Sequence, residues 1–303
     1  MENDGGICLM VMQNGIKAKN IILLRKSPDS KKNLFLVHDG TGSIGGYFQF
    51  AWYIHQDFNV YGILPIVPIK GEDYLGPFPF SIKDIADSYR GILDSFMGDT
   101  VVYITGWSTG GSIAFEMVYG WQKEGRRVNF LGLFDVLPPE NEKQDIVFYN
   151  IKSESDFLLP FIAKAALKEK LVNCEDVRSF WNLIQWELTE LDWMREKFFL
   201  AEGNQWGKII PNYQKLPLKE LFLMINVIRS YHKAGIEYLP EGKVENQIHY
   251  FQAAHSVIKR VDDWRPYCHR FICHQVPGGH YTMLNSDNAP ALSEIFNKVL
   301  GDT

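Results

Sequence analysis

A serine lies in a glycine-flanked turn between a predicted strand and a predicted helix. Residues 106–110 read G-W-S-T-G, which is the G-x-S-x-G pattern of a nucleophile elbow with Ser108 at its centre. The pattern needs glycine at Gly106 and Gly110 because side chains would collide on so sharp a turn. The following helix directs its free amides and the positive end of its dipole toward the serine. The spacing therefore predicts a serine nucleophile.

A serine nucleophile needs a general base, and one of the eight histidines stands in a suitable place. His280 follows the last predicted strand in the glycine-containing segment 277–280, P-G-G-H. It also comes after the serine and the candidate acids, which is the chain order of hydrolases that carry this elbow. His38 and His274 lie on or beside predicted strands, and we interpret both as structural.

Three aspartates are candidates for the acid that orients His280. Asp135 ends the predicted strand that follows the elbow helix, and two prolines come soon after it. Asp262 and Asp263 follow the next predicted strand, and an acid there could also reach the imidazole. The residues alone leave both positions open, because Asp135 also fits an ordinary turn.

Strands that alternate with helices surround these residues. Such alternation predicts a parallel sheet with helices on both faces. The predicted strands are 21–24, 33–38, 59–64, 101–104, 128–134, 247–253 and 271–276, and predicted helices include 47–54, one from 81 to about 97, the elbow helix and 290–300.

The alternation stops between about residues 143 and 245. Helical patterns replace it at Phe157–Leu171, Val177–Phe199 and Leu218–Tyr231. Because this segment is too long to be a loop inside one α/β unit, we predict a mobile helical lid. Large apolar side chains are expected to form the wall of a substrate pocket beneath it, namely Trp181, Trp186, Trp193, Phe198 and Phe222.

Composition argues against several classes of protein. The net charge is −5 without a basic block, so nucleic-acid binding is not expected. No apolar run approaches the roughly 20 residues that span a bilayer, and the N-terminus lacks signal-peptide features. The four cysteines are scattered and show no zinc spacing, so we expect a reduced, cytoplasmic protein without structural disulfides and without a metal. The loop at 39–46 lacks G-x-G-x-x-G, and residues 1–20 are interpreted as a leader or linker.

Four segments, taken together, resemble the thioesterase domains of non-ribosomal peptide and polyketide synthases. The segments are 34–40 (L-F-L-V-H-D-G), 106–116, 133–139 and 278–284, and the resemblance covers about residues 21–300. It implies an α/β-hydrolase fold over residues 21–303, with the helical lid inserted at about 143–245. It also favours Asp135, because the acid of that family follows the strand after the nucleophile.

The resemblance implies a substrate and a mechanism. An acyl or peptidyl chain is expected to arrive as a thioester on the phosphopantetheine arm of a carrier protein, with no cofactor bound to the enzyme itself. His280 then takes the Ser108 proton, and backbone amides of Thr109 and of Gly40 or Thr41 hold the oxyanion. Water, or an amine or hydroxyl of the chain, releases the product by hydrolysis or macrocyclisation. The long lid fits a terminal, product-releasing domain of natural-product biosynthesis.

Three other functions stay open at this point. A stand-alone editing thioesterase has the same triad. A carboxylesterase or lipase has it too but acts on free substrates. A hydrolase-fold binding protein with a vestigial triad belongs to a different class, and a serine-directed fluorophosphonate probe separates it from the enzymes.

Overall fold

The computed structural model describes residues 20–65, 75–98, 100–139, 149–162, 164–187, 210 and 213–301 of the 303-residue chain. The leader predicted at residues 1–20 lies almost entirely outside the described residues. So do the two predicted lid residues Trp193 and Phe198. The chain divides into two compact units, of which the larger contains the described residues of 13–66, 80–142 and 234–303.

A seven-stranded sheet forms the centre of the larger unit. The strand order is β1-β3-β2-β4-β5-β6-β7, with β1 antiparallel to β3 and every other pair parallel. The predicted α/β-hydrolase class with a mostly parallel sheet is therefore confirmed. The strands are β1 Ile21–Arg25, β2 Lys32–Val37, β3 Phe58–Ile63, β4 Val102–Trp107, β5 Val128–Phe134, β6 Val244–Ala253 and β7 Cys268–Val276.

Helices cover the sheet and bury its apolar side chains. Phe296 of the last helix packs edge-on against Phe50, Phe130 and Phe134 with ring centroids 5.1 to 5.5 Å apart. All four rings are fully buried or nearly so, which fixes the strands that carry the site. The helices of this unit are α1 Tyr47–Tyr53, α2 Ile82–Met97, α3 Thr109–Lys123 and α8 Ala289–Gly301, and a 3₁₀ helix spans Val261–Tyr267.

The smaller unit is helical and contains the described residues of 67–79 and 143–233. A buried ion pair joins its helices, because the Arg229 guanidinium donates to both carboxylate oxygens of Glu154, at 3.0 and 2.8 Å. The Trp181 indole N–H donates to the same carboxylate at 2.9 Å. Its helices are α4 Ile151–Leu158, α5 Ala165–Val172, α6 Val177–Trp186 and α7 Leu218–Ile236, the last residues of which belong to the larger unit.

Two details of the predicted helical insertion differ from the structure. The single helix predicted over Phe157–Leu171 is wrong: α4 ends at Leu158, a 3₁₀ turn follows, and α5 begins at Ala165. Pro160 explains the break, because proline lacks an N–H and disfavours helical geometry at the residue before it. The predicted end of the insertion at residue 245 falls inside β6, which begins at Val244.

The side chains expected to wall an acyl pocket have different environments. Trp181 and Phe222 are 0% and 2% exposed and pack together inside the apolar core of the helical unit, with ring centroids 5.7 Å apart. They therefore hold the unit together and do not line an open surface. Trp186, at the end of α6, is 84% exposed.

A buried histidine closes the carboxyl end of β2. His38 is fully buried; its Nδ1 lies 2.6 Å from the Asp39 carbonyl oxygen, and its Nε2 lies 2.5 Å from the Tyr89 hydroxyl. The carbonyl accepts the Nδ1 proton, so Nε2 is left to accept from the tyrosine. Burial lowers the pKa of His38 from 6.5 to about 4, which keeps the ring neutral. This environment supports its interpretation as structural.

His38 should make the fold sensitive to mild acid. In the unfolded chain the His38 imidazole binds a proton below about pH 6.5, whereas in the folded chain it does so only near pH 4. Protonation therefore favours the unfolded state, and the free energy of unfolding falls as the pH decreases from about 6.5 toward 4. The shift corresponds to about 3 kcal/mol at most. We expect the free energy of unfolding, measured with urea from pH 7 to 4.5, to fall more steeply for the wild type than for His38→Gln. Equal slopes would contradict the assignment.

Candidate active site

Ser108 occupies the turn between β4 and α3 in a strained backbone conformation. Its φ is 54° and its ψ is −130°, which non-glycine residues rarely adopt. The turn is fixed on both sides: the Ser108 amide donates to the Phe134 carbonyl at 2.9 Å, and the Gly111 amide donates to the Ser108 carbonyl at 2.9 Å. Strain held by such bonds is typical of functional residues, as predicted for an elbow.

The elbow glycines are required by backbone contact. A Cβ added to Gly106 would lie 2.1 Å from the Gly110 carbonyl oxygen, and one added to Gly110 would lie 2.1 Å from that of His38. Neither carbonyl can move without breaking the turn or the end of β2. Gly110 therefore lets α3 begin directly against the strand that leads into the glycine-rich loop.

His280 and Asp135 meet at the carboxyl edge of the sheet. The Nδ1 of His280 lies 2.8 Å from Oδ2 of Asp135, whose side chain is fully buried, while the imidazole is 12% exposed. An ionised carboxylate only accepts hydrogen bonds, so the Nδ1 proton points to Asp135 and Nε2 is left to act as a base. Asp135 directly follows β5 and has a φ of 47°.

The alternative acids are engaged elsewhere. Asp262 accepts from Arg265 at 2.9 Å, and Asp263 pairs with Arg260 at 2.7 Å, both in or beside the 3₁₀ helix. Among the hydrogen bonds of the described residues, neither aspartate is bonded to His280. The geometry thus favours Asp135.

Ser256 is a residue of the site that sequence reasoning missed. Its hydroxyl donates to Oδ2 of Asp135 at 2.7 Å, and the Ala253 amide donates to Oδ1 at 3.2 Å. Both donors lie at or just beyond the end of β6. They hold the carboxylate plane, and hence the imidazole, in one orientation. No local pattern distinguishes Ser256 from other turn serines, because its partner is 121 residues away.

Removal of the Ser256 hydroxyl should weaken catalysis without removing it. Hydrogen bonds to charged groups contribute about 1.5–3 kcal/mol, so we expect Ser256→Ala to lower kcat by roughly 10- to 100-fold at unchanged KM. Ser256→Thr keeps the hydroxyl and should recover most of the rate. Rates of thioester cleavage by both variants test this, and equal activity of wild type and Ser256→Ala would contradict it.

The two predicted sources of the oxyanion site lie side by side. A Cβ added to Gly40 would lie 2.9 Å from the Thr109 Oγ1, so the glycine-rich loop runs against the start of α3. The Thr41 amide donates to the Asp39 carboxylate at 2.7 Å. Among the described residues, no hydrogen-bond acceptor engages the amides of Gly40 or Thr109. The geometry favours the Gly40–Thr109 pair over one that uses Thr41.

Aromatic side chains border the histidine. The Trp107 ring lies 5.7 Å from the imidazole, and the Tyr281 ring meets it edge-on at 4.8 Å. Below the acid, the Tyr250 hydroxyl donates to the Val136 carbonyl at 2.8 Å. Burial, together with the nearby Asp135 charge, raises the pKa of Tyr250, which therefore stays a neutral donor.

Comparison with known proteins identifies the family. The model of the family described as "Thioesterase domain" matches residues 32–300. Aspulvinone E synthetase of Aspergillus terreus is 24% identical over 94% of this chain, and an atromentin synthetase of Paxillus involutus is 23% identical over 89%. The chain covers only 30% and 27% of the lengths of these relatives.

Solved structures share the fold. A four-domain nonribosomal peptide synthetase superposes with a TM-score of 0.65 at 19% identity, covering 96% of this chain and 21% of that one. The NocB thioesterase domain, in covalent complex with a fluorophosphonate nocardicin G analogue, superposes with a TM-score of 0.58 at 15% identity, covering 93% and 100%. At such identities the likeness concerns the fold alone.

Among the helices that the structure describes, none combines the length and apolar character needed to cross a membrane.

Proposed function

Because the chain belongs to the thioesterase domain family, we propose that it releases an acyl or peptidyl chain from a carrier-protein thioester through an acyl-enzyme on Ser108. One observation carries this proposal: the imidazole of His280 is hydrogen-bonded through Nδ1 to the fully buried Asp135, at 2.8 Å. That bond fixes the tautomer in which Nε2 accepts a proton. The nucleophile elbow, at the same edge of the sheet, supplies the hydroxyl.

The acylation step follows from these roles. His280 Nε2 takes the Ser108 proton as Oγ attacks the thioester carbonyl, and the amides of Thr109 and Gly40 receive the developing oxyanion. The buried Asp135 carboxylate stabilises the imidazolium that forms. Collapse of the tetrahedral species breaks the C–S bond, and the imidazolium gives its proton to the departing thiolate. The products are the free thiol of the pantetheine arm and the acylated serine.

The substrate is proposed to arrive on a carrier domain. The curated relatives are synthetases about three times as long as this chain, and one structural neighbour is a four-domain synthetase. A thioesterase in that setting receives its acyl group from the phosphopantetheine arm of a neighbouring carrier rather than from a free ester. The biosynthetic product released is then a small natural product.

Release of the acyl-enzyme has two proposed routes. Water, activated by His280, gives the linear acid, whereas an amine or hydroxyl of the bound chain gives a macrocycle or macrolactone. An internal nucleophile competes with water only if the chain is folded back and water is kept away. We propose that the helical unit acts as the mobile lid that controls this choice. Slower amide exchange in its helices upon acylation of Ser108 is the expected sign.

The decisive experiment follows acyl transfer by mass. The protein is mixed with a carrier domain loaded with an acyl-phosphopantetheine, and intact masses are recorded over time. We expect the carrier to lose the acyl group as the enzyme transiently gains it. A cyclic product weighs one water less than the linear acid, so the mass of the released product, measured in the same samples, identifies the route. No acyl gain and no carrier unloading would refute the proposal.

Two competing functions predict different results in the same assay. A carboxylesterase or lipase cleaves small esters but leaves the carrier thioester intact. A binding protein with a vestigial triad does neither, and a fluorophosphonate probe does not label it.

A further inference from the structure

A buried carboxylate lies beside the triad and has no part in the proton transfers. Asp39 directly follows His38 at the end of β2 and is only 9% exposed. Its Oδ1 accepts three hydrogen bonds: from the Thr41 amide at 2.7 Å, the Thr41 hydroxyl at 2.6 Å and the Ser43 amide at 3.1 Å. Burial raises the pKa of Asp39, and the hydrogen bonds from Thr41 and Ser43, together with the nearby His280, counteract that rise.

These bonds close the glycine-rich loop into a compact turn. The Asp39 amide donates to the Ser43 carbonyl at 3.1 Å, and the Gly42 amide donates to the Asp39 carbonyl at 3.0 Å. Gly42, with a φ of 79°, permits the reversal of the chain. The carboxylate accepts from the amides of Thr41 and Ser43, which are only partly exposed to water.

Of the two loop amides predicted for the oxyanion, those of Gly40 and Thr41, the turn engages only that of Thr41. Asp39 consumes the amides of Thr41 and Ser43, whereas the Gly40 amide has no acceptor among the described residues. Gly40 lies so close to Thr109 that no side chain fits between them. Gly40 lies between Asp39 and Thr41, so the hydrogen bonds that join these two residues restrict the conformation of the Gly40 amide.

We infer that Asp39 is the positioning residue of the oxyanion site: its Oδ1 holds residues 41 and 43 so that the Gly40 amide, paired with that of Thr109, receives the oxyanion. The inference rests on the proposed acyl transfer. It assigns to Asp39 a role as hydrogen-bond acceptor and not as a charge. Asparagine can fill the role because its Oδ1 accepts the same three bonds, whereas glutamate displaces the acceptor by one methylene.

The test compares Asp39→Ala, Asp39→Asn and Asp39→Glu with the wild type. The substrate is octanoyl-N-acetylcysteamine thioester. An octyl trifluoromethyl ketone, which forms a tetrahedral adduct with serine, probes the oxyanion site. A thioether with the same octyl chain cannot react with serine, so its affinity reports binding of the ground state. Losing one oxyanion donor costs about 10²–10³ in kcat.

We expect Asp39→Ala and Asp39→Glu to lose that factor in kcat and in affinity for the trifluoromethyl ketone, while the thioether binds normally. Asp39→Asn should stay within about tenfold of the wild type in both. If Asp39→Ala does not fold, the comparison of Asn with Glu decides. Three outcomes would overturn the inference. The first is a folded Asp39→Asn variant as inactive as Asp39→Ala, and the second is an active Asp39→Glu variant beside an inactive Asp39→Asn variant. The third is an equal loss of affinity for the trifluoromethyl ketone and the thioether.

Failure of the proposed function gives a separate result. If the wild type cleaves neither the thioester nor a carrier-bound chain, thioester release is refuted, and the affinity for the trifluoromethyl ketone still tests the role of Asp39. If the wild type is active and Asp39→Ala is equally active, only the role of Asp39 is refuted.

Discussion

Ser108→Ala is expected to abolish acyl-enzyme formation and to lower kcat by a factor on the order of 10⁵ to 10⁶, as for other serine hydrolases that lose the nucleophile. The fold should persist, because the bonds that fix the elbow use the backbone of residue 108 and not its hydroxyl. Alanine adopts the φ of 54° at a strain similar to that of serine. Intact mass after exposure to a loaded carrier domain measures the acyl gain, and thermal unfolding checks the fold.

Ser112 provides a matched control for this variant. It lies one helical turn beyond Ser108 in α3, is 3% exposed, and has no part in the proposed mechanism. Ser112→Ala should therefore still gain the acyl mass. If the Ser108 variant acylates at the wild-type rate, or if the loss appears only with Ser112→Ala, the nucleophile is assigned wrongly.

Loss of the orienting acid is expected to have the second largest effect. Replacing the aspartate of a serine-protease triad by asparagine lowers kcat about 10⁴-fold because the imidazole then holds the wrong tautomer. We expect a similar loss for Asp135→Asn here, since Oδ2 is the acceptor of the His280 Nδ1 proton. Asparagine also tolerates the φ of 47°. Asp135→Ala should lose a few orders of magnitude and some stability, because Ser256 and Ala253 lose their acceptor.

Asp262→Ala and Asp263→Ala are the controls, and each should change kcat by no more than a fewfold. Their partners are Arg265 on the 3₁₀ helix and Arg260 just before it, and ion pairs this close to the surface contribute little. Steady-state rates on a thioester substrate, together with urea unfolding, separate catalytic from structural losses. A large loss with Asp262→Ala or Asp263→Ala and a small one with Asp135→Asn would move the acid to the later loop.

The candidate triad could be predicted from the sequence because each of its residues follows a predicted strand. Ser108, Asp135 and His280 all follow predicted strands, and parallel strands deliver the residues after them to one edge of the sheet. The glycines around Ser108 identify the sharp turn. Chain order then separates His280 from the other histidines. Asp135 and the pair at 262–263 each follow a predicted strand, so strand position alone cannot choose the acid. The family resemblance or the structure is needed for that choice.

Other parts of the site leave no local signal. Ser256 supports Asp135 across 121 residues, and the bonds of Asp39 depend on a loop conformation without periodicity. The role expected of Trp181 was wrong for a related reason: a large apolar side chain on a helix suits a pocket wall and a core equally, and only packing decides. In this chain, Glu154 and Phe222 hold Trp181 inside the core.

The contacts at Gly106 and Gly110 also bear on how such a protein could lose its activity. Both glycines are needed for backbones to pass each other, whether or not a reaction occurs. The fold does not require the hydroxyl of Ser108 or the imidazole of His280 in the same way. A descendant released from selection for catalysis would therefore exchange the reactive side chains first and keep the glycine framework for as long as it folds. In such a lineage, glycine spacing would record ancestry, and the side chains of the proposed triad at 108, 135 and 280 would record whether the chemistry survives.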